Sequence, residues 1–182
     1  MHMYRWLLCC VILAACGPRK FPKPDFSAVT FAMTSQDQLF FKNVRSYYYQ
    51  QDLDAFPGVE LYRWKPVEQD STQLWLRPII AMAYQQGQCF LLTETSAYLR
   101  DSMQHVLYAQ FLSNRVDSIR LEPQSMEDHL RINAFVYNAI DDSARFYLYH
   151  HNGNRQELLH NETERNNIRK MIRDYLRITA VL

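Results

Sequence analysis

Histidine is the residue type in this chain best suited to binding a metal, and three of the six histidines fall close together. His150, His151 and His160 surround Asn152-Gly153, the strongest short signal for a hairpin turn. A two-residue turn there would pair His160 with Arg145, about 20 Å from His151 along the ladder. His150 and His151 would also point to opposite faces of their strand. We therefore predict that these histidines hold no metal.

A cluster of carboxylates is the second place where metal chemistry is conceivable. Asp52-Leu53-Asp54, followed by Gly58 and Glu60, partly matches the pattern of a calcium-binding loop. Such a loop needs an oxygen ligand at its fifth position and a glycine at its sixth. Phe56 and Pro57 occupy those positions here. The segment is therefore predicted to be a solvated turn, and no metal cofactor is expected.

Nucleophilic chemistry has one candidate, the thiol of Cys89. It lies in the apolar run Gly87–Leu92, which predicts a buried cysteine that behaves as a small hydrophobic residue. The chain contains no G-x-S-x-G, no H-E-x-x-H and no glycine-rich phosphate loop. We predict that the protein is not an enzyme. A hydrolase would need a pocket that brings a distant histidine together with a carboxylate and a hydroxyl or thiol.

The last helix predicted from the sequence carries one arginine on every turn. Arg165, Arg169, Arg173 and Arg177 recur at four-residue spacing, which places them on one ridge. The ridge is a candidate binding surface for an anionic partner or for phospholipid. It can also be a solvated face whose cations lie favourably toward the helix C-terminus. The sequence leaves both interpretations open.

Three consecutive tyrosines form the second candidate surface. Tyr47, Tyr48 and Tyr49 lie close in sequence to Tyr62 and Trp64. In a strand, Tyr47 and Tyr49 would share one face and Tyr48 would point to the other. Exposed rings would make a stacking platform for a sugar or a peptide, whereas buried rings would belong to the core. Tyr47 and Tyr49 are therefore candidate partner-binding residues.

The first residues of the chain indicate a targeting signal. Met1–Arg5 carries one positive charge, and Trp6–Ala15 is an apolar run of ten residues. Ten helical residues span about 15 Å, half of a bilayer's hydrocarbon core, so the run suits a signal peptide better than a membrane span. It ends in Leu13-Ala14-Ala15-Cys16, which resembles the lipobox of bacterial lipoproteins.

This resemblance implies that residues 1–15 are a signal peptide and that Cys16 becomes a lipidated N-terminus. Residues 16–25 would then be a tether rich in proline and basic residues, leading to a single domain at 26–182. The covalent lipid on Cys16 would hold the protein on a membrane of the cell envelope. No acidic run follows the cysteine, which favours a location that faces the periplasm, and the outer membrane is the expected membrane. Cys89 would remain as the one unmodified cysteine, so no internal disulfide is predicted.

The composition is that of a globular protein without a strong electrostatic field. Hydrophobic residues make up 48% and aromatic residues 14%, which excludes a wholly disordered chain. The formal net charge is +1, and no basic region stands out as it would in a nucleic-acid-binding protein. We therefore predict no nucleic-acid partner.

Strand signals dominate the first half of the body. Strands are predicted at Leu39–Gln50, Val59–Trp64, Leu74–Tyr84 and Cys89–Thr95. The first of these is ambiguous, because Phe40, Val44, Tyr47 and Tyr48 also match one face of a helix. Pro78 marks the third as an edge strand or splits it. These strands are expected to form a small antiparallel meander.

Helical periodicity appears in the second half. Helices are predicted at Leu99–Leu107, at Ile132–Ile140 with Ser125 as N-cap, and at Ile168–Leu176 with Asn161 and Glu164 at its start. Arg145–Tyr149 and Gln156–His160 should form the hairpin around Asn152-Gly153. The expected fold is α+β, with a small antiparallel sheet of meander and hairpin packed against two or three helices.

The sequence favours a lipid-anchored, non-enzymatic binding or accessory protein of the cell envelope, with an envelope protein as a possible partner. The alternative is a protein that binds a glycan or a peptide through the aromatic region Tyr47–Tyr49. That alternative requires exposed rings beside a groove.

Overall fold

The structure is a computed structural model that describes residues 23–65 and 73–182. Its first half forms an antiparallel meander of four strands, which confirms the predicted meander and three of its four predicted strands. The strands are β1 (Tyr49–Phe56), β2 (Val59–Trp64), β3 (Leu76–Ala83) and β4 (Gln88–Thr95), in the order β1-β2-β3-β4. Gly58, with a φ of 75°, lies in the tight β1–β2 turn, where a positive φ favours glycine.

The later hairpin belongs to a second sheet rather than to the first. This sheet contains β5 (Val106–Gln110), β6 (Val116–Arg120), β7 (Arg145–Tyr149) and β8 (Arg155–Leu158), in the order β6-β5-β7-β8. All its neighbouring strands are antiparallel. Within the described residues the fold is therefore α+β with two four-stranded sheets, which confirms the predicted class.

Four helices accompany the sheets in the described part of the chain. They are α1 (Ser35–Phe40), α2 (Ala97–Ser102), α3 (Met126–Asp141) and α4 (Glu162–Ile178). The hydroxyl of Ser125 accepts a hydrogen bond from the Asp128 N–H and caps α3, as predicted. The Asn161 side chain caps α4 in the same way by accepting from the Thr163 N–H.

One hydrophobic core joins both sheets to the long helices. α3 packs on β4, and α4 packs on β3 and β4. The apolar face predicted for α4 is buried throughout, and Ile172 at its centre is fully inaccessible to solvent. Leu107 and Phe146 bring the second sheet into the same cluster. Sequence periodicity therefore identified the core face of α4 correctly.

The segment Leu39–Gln50 is helical over most of its length, so the strand predicted there is wrong. α1 leads directly into a π-helical turn at Phe41–Arg45 and a 3-10 turn at Ser46–Tyr48, and β1 begins only at Tyr49. Aromatic residues favour strands on average, but such preferences are weak and depend on tertiary context.

The helical alternative for this segment is correct, but its apolar face points the opposite way from what periodicity suggests. Phe40 and Val44 are about half exposed, whereas Phe41 is buried. Arg45, one helical turn after Phe41, reaches a carboxylate on α4. The inward face is therefore set by Phe41 and Arg45, one position away from the more hydrophobic set.

The helix predicted at Leu99–Leu107 is also wrong. α2 ends at Ser102, Met103 is extended, and β5 starts at Val106. In β5, the buried residues Leu107 and Ala109 alternate with partly exposed neighbours, which is the period of a strand. Apolar residues at 99, 103, 106 and 107 satisfy the helical template only because a short helix and a strand meet there.

Pro78 lies in the third strand, which is interior to its sheet. The ladder between β2 and β3 runs from Glu60–Met82 to Tyr62–Ile80 and ends before Pro78. Proline has no N–H to donate to a neighbouring strand. The pairing of β3 with β2 therefore does not extend to Pro78. The prediction of an edge is wrong for the strand as a whole but right for this end of it.

The hairpin between β7 and β8 has a register one residue away from the prediction. Tyr149 pairs with Arg155, and the His150 N–H donates to the Asn154 carbonyl at 2.8 Å. The turn therefore holds three residues, with Gly153 at a φ of 87°. The predicted pairing of His160 with Arg145 is wrong, because β8 ends at Leu158 and His160 lies in the connection to α4.

The predicted signal peptide and the lipidation site Cys16 lie outside the described residues. The described chain opens at Lys23, whose ammonium pairs with Asp142 at 2.7 Å. The ring of Phe26 packs edge-on against Tyr137 of α3. Within residues 23–65 and 73–182, none of the helices has the length and hydrophobicity to cross a membrane.

Candidate functional site

An open groove lies between one end of the first sheet and the first turns of α4. Its volume is about 370 Å³, within the range of small-ligand sites. The sheet side is lined by Trp64 and residues 73–78, and the helix side by His160, Asn161, Thr163, Glu164, Asn167, Ile168 and Met171. Aromatic, amide, imidazole and carboxylate groups therefore surround one cavity.

Two partly exposed indole rings dominate the sheet side of the groove. Trp64 stacks parallel to Tyr48, with ring centroids 5.9 Å apart and an interplanar angle of 6°. Tyr49 meets the same indole edge-on at 5.3 Å. Trp75 carries the guanidinium of Arg77 over its ring at 4.4 Å. These contacts hold both indoles in defined orientations at the mouth of the groove.

The helix side of the groove contributes a carboxyl group in an unusual environment. Burial raises the pKa of Glu164, and the nearby charges of His160 and Arg165 oppose that shift in part. The amide of Asn167 lies one helical turn later, on the same side. A carboxyl group with a raised pKa in a cleft is a physical marker of a binding or reactive site.

A buried ionic cluster contacts the aromatic side of the groove through Tyr49. Asp174 accepts from the Tyr49 hydroxyl at 2.6 Å and from the Arg45 guanidinium at 2.9 and 2.8 Å. Burial first, and then the Asp174 charge, raises the pKa of Tyr49. The hydrogen bond to Asp174 raises the pKa of Arg45. The cluster ties α4 to the helical segment that precedes β1.

Tyr49 is therefore a core residue, only 2% exposed, and it offers no surface to a partner. Its proposed companion Tyr47 is 80% exposed. The two do not share a face, because the 3-10 turn Ser46–Tyr48 replaces the expected strand. Tyr47 can therefore serve as an exposed stacking platform, whereas Tyr49 cannot. The Tyr49 hydroxyl instead donates to the buried carboxylate of Asp174.

The first half of the arginine ridge makes contacts within the protein. Arg165 donates to the Leu159 carbonyl at 2.6 Å and lies over the ring of Phe146. Arg169 donates to Asp141 at 3.0 Å and to the Ile140 carbonyl at 3.1 Å. These two arginines fasten α4 to the preceding loop and to the end of α3.

In the second half of the ridge, one arginine contacts another side chain and the other is exposed. Arg173 donates to the Tyr137 hydroxyl at 3.0 Å, whereas Arg177 is exposed near the end of α4. The four arginines therefore make different contacts and do not form one continuous cationic surface. Partner binding by the ridge stays a prediction, with Arg177 its most accessible member.

Cys89 lies in the core and is fully inaccessible to solvent. Burial raises the pKa of its thiol well above the ordinary value, so the nucleophilic thiolate is scarce at neutral pH. The predicted burial of this cysteine is confirmed.

A second cavity brings a histidine next to a carboxylate and two threonines, as a hydrolase would require. His105 faces Glu122 at 2.6 Å through Nδ1 and the Arg100 carbonyl at 3.0 Å through Nε2, beside Thr93 and Thr95. Both neighbours are hydrogen-bond acceptors, so both ring nitrogens are engaged within the protein. The bond to Glu122 accordingly raises the His105 pKa. With both ring nitrogens engaged, neither is free to take a proton from a bound substrate, so this arrangement is unsuited to a general base.

The residues considered for metal binding are dispersed. Among the described residues, no group of three or more His, Cys, Asp or Glu side chains could hold a metal ion. His150 faces Gln156 through its Nε2 at 3.1 Å, and His160 lines the groove. Asp52 lies in β1 and pairs with Arg63 across the ladder, so the predicted solvated turn is in fact a strand.

The groove was not predicted from the sequence, although the sequence contains a signal for it. Trp64 ends β2 and Trp75 immediately precedes β3. Consecutive antiparallel strands bring their adjoining ends together, so two tryptophans at such ends must lie near each other. The contribution of Glu164 and Asn167 could not be foreseen, because it depends on where α4 packs.

Comparisons with known proteins do not assign a function to the groove. No protein-family model matches the chain, and no curated protein or solved structure matches it. The chemistry of the groove is therefore considered on its own residues.

Proposed function

We propose that this protein is a lipid-anchored, non-enzymatic module of the cell envelope that binds a glycan in its groove. The observation that carries the proposal is the pair of partly exposed indole rings, Trp64 and Trp75, facing polar groups across a cavity of about 370 Å³. The anchor comes from the lipobox-like sequence that ends at Cys16.

The groove has the two kinds of group that recognise a sugar. The flat faces of indoles pack against the axial C–H groups of a pyranose, while hydroxyl and acetamido groups need hydrogen-bonding partners at the ring edge. Asn167 supplies an amide that both donates and accepts, and Glu164 supplies a carboxyl group. Because burial raises its pKa, Glu164 can donate as well as accept where it is protonated.

A peptide is the competing ligand class, since aromatic-lined grooves also bind extended chains. The end of β3 that lines the groove is unpaired on one side, but it holds Pro78, which has no N–H to donate to an added strand. The glycan is favoured because the polar groups of the helix side are side-chain amide and carboxyl groups. The other surface considered for this function, around Tyr47, has one strongly exposed ring and lies outside the groove-lining set.

Binding can be measured with the lipidated full-length chain in detergent micelles, by calorimetry and by tryptophan fluorescence. The probes are a soluble β-1,4-linked N-acetylglucosamine tetramer and, in parallel, an uncharged extended tetrapeptide. We expect saturable binding of the tetrasaccharide with a change in indole emission. Trp64→Ala should abolish binding, and Asn167→Ala should weaken it about tenfold, which corresponds to the loss of one well-formed hydrogen bond.

Tyr47→Ala is the matched control, because it removes an exposed aromatic ring outside the groove. Melting curves of all three variants establish that a loss of binding is not a loss of fold. Loss with Tyr47→Ala and retention with Trp64→Ala would move the site to the tyrosine surface. Binding of the peptide alone, or of neither probe, would refute the glycan proposal.

A further inference from the structure

The helical segment before β1 exposes a row of large apolar side chains, here called the apolar stripe. Its members are Leu39, Phe40, Val44 and Tyr47, exposed by 60, 46, 51 and 80%. Phe40, Val44 and Tyr47 recur at four- and three-residue intervals, and Leu39 adjoins Phe40, which places all four toward one side of the segment. Single exposed apolar residues are ordinary, but a contiguous row of them on a helix indicates an interaction surface.

This exposure is built into the fold. Phe41 is buried against Tyr49 and Tyr62, and Arg45 is held by Asp174. These contacts fix the rotation of the segment and turn its neighbouring face outward. The stripe therefore cannot enter the core by a simple roll of the helix, because the roll would withdraw Arg45 from a buried carboxylate.

A lysine lies beside the apolar stripe. Lys65 donates to the Tyr47 carbonyl at 3.0 Å, with its ammonium 5.3 Å from the Tyr47 ring. Lys42, two residues after Phe40 and so on the other side of the segment, pairs with Glu60 at 3.6 Å and lies over the Tyr84 ring. The segment's own acid, Asp37, is engaged with the capping residue Thr34. Aliphatic and aromatic residues bordered by lysines are typical of helices that lie in a membrane interface.

The predicted anchor would hold the stripe close to a bilayer. Seven chain steps separate Cys16 from Lys23, so the extended chain between them spans at most about 25 Å. Lys23 pairs with Asp142, and Arg169 of α4 binds the adjacent Asp141. Asp174, five residues and so about 7.5 Å further along the axis of α4, binds the segment that carries the stripe. Tether and stripe are thus attached at neighbouring levels along α4.

We propose that the apolar stripe docks on the lipid surface into which the protein's own anchor is inserted. The inference rests on the anchor of the proposed function, and it adds a second, non-covalent attachment that orients the body. Phe40, Val44 and Leu39 would enter the boundary between headgroups and acyl chains. Tyr47 would lie at headgroup level, and Lys65 beside it would face anionic phosphates. The covalent lipid alone would leave the body free to rotate about one point. Because the stripe belongs to the same molecule, its contact with the bilayer would be a second attachment at high effective concentration and would fix the orientation of the body.

The test uses the full-length lipidated chain in vesicles of phosphatidylethanolamine and phosphatidylglycerol. An environment-sensitive fluorophore is attached at Val44→Cys or, as the control, at Leu112→Cys, an exposed apolar position (88%) between β5 and β6. The unmodified chain serves as the labelling blank, because Cys89 is buried. We expect the Val44 label to shift to the blue on reconstitution and to be quenched by lipid-borne nitroxide. The Leu112 label should do neither.

Each contrary outcome has a distinct meaning. A vesicle-bound protein whose two labels behave alike would refute stripe docking and leave the anchor intact. A Cys16→Ser chain that stays membrane-bound and normally processed would refute the anchor instead. A shift of the Val44 label in detergent that grows with protein concentration would assign the stripe to a second copy of the chain. A shift that appears only in native envelopes would assign it to a protein partner, and either result would overturn the lipid proposal.

Discussion

Two helical segments of this protein carry apolar residues at helical spacing, and the fold places these residues in opposite environments. In α4 the apolar face is buried, with Ile172 at its centre, and the arginines lie on the outside. In the segment that begins with α1, Phe40 and Val44 face solvent while Arg45 points inward. The difference teaches that periodicity identifies a face, but only the neighbouring elements determine whether that face is the core.

The inward arginine has a specific partner on the other helix. Asp174 of α4 is 3% exposed and accepts from both Arg45 and Tyr49. A buried carboxylate is costly unless it is paired and hydrogen-bonded. The rotation of the first segment is therefore set by the need to satisfy Asp174, even though this leaves apolar side chains in water.

The largest effect should follow from removing this carboxylate. Asp174→Ala leaves the Arg45 guanidinium partly buried without its counter-ion and the Tyr49 hydroxyl without its acceptor. We expect a loss of about 3–5 kcal/mol in the free energy of unfolding, measured by urea denaturation. Asp142→Ala removes an exposed partner of Lys23 and should cost less than about 1 kcal/mol. Similar losses for the two variants would show that the buried cluster does not set the rotation of the first segment.

An intermediate contrast compares one apolar residue from each helical face. Ile172→Ala empties a fully buried site and should cost about 2–5 kcal/mol. Phe40→Ala removes a larger side chain from a half-exposed site and should change stability by no more than about 0.5 kcal/mol in detergent micelles. Thermal and urea denaturation of both variants decide the point. A large loss for Phe40→Ala would mean that the apolar stripe supports the fold and is not free for docking.

The smallest effect concerns the arginines of α4. Arg169 contacts Asp141, Glu162 and the Ile140 carbonyl, so Arg169→Ala should cost about 1 kcal/mol. Arg177 is exposed, and Arg177→Ala should be neutral within about 0.5 kcal/mol. The same denaturation curves, repeated at high salt, should reduce the gap between the two variants. Equal effects would indicate that the ridge acts as one solvated face, as periodicity alone suggests.

Features that depend on neighbours in the chain could be predicted from the sequence. The α+β class, three strands of the meander, the hairpin, the caps at Ser125 and Asn161 and the core face of α4 are of this kind. Caps and turns involve hydrogen bonds over a few residues, and a long amphipathic helix repeats its signal over several turns. The short, aromatic-rich or mixed segments at 39–50 and 99–107 lack that redundancy, and both were assigned wrongly.

The sequence by itself determined which side chains are available: the two tryptophans at adjoining strand ends, the arginine on each turn of α4, the lone cysteine of the strand and the lipobox-like tetrapeptide. Only the tertiary structure decided that the hairpin joins a second sheet, that Tyr49 is buried while Tyr47 is exposed, and that Glu164 and Asn167 face Trp64 across a groove. These outcomes depend on contacts between residues far apart in the chain, above all that of Arg45 with Asp174. No local pattern encodes such a contact, because the preference of each segment is weaker than the cost of leaving a buried charge unpaired.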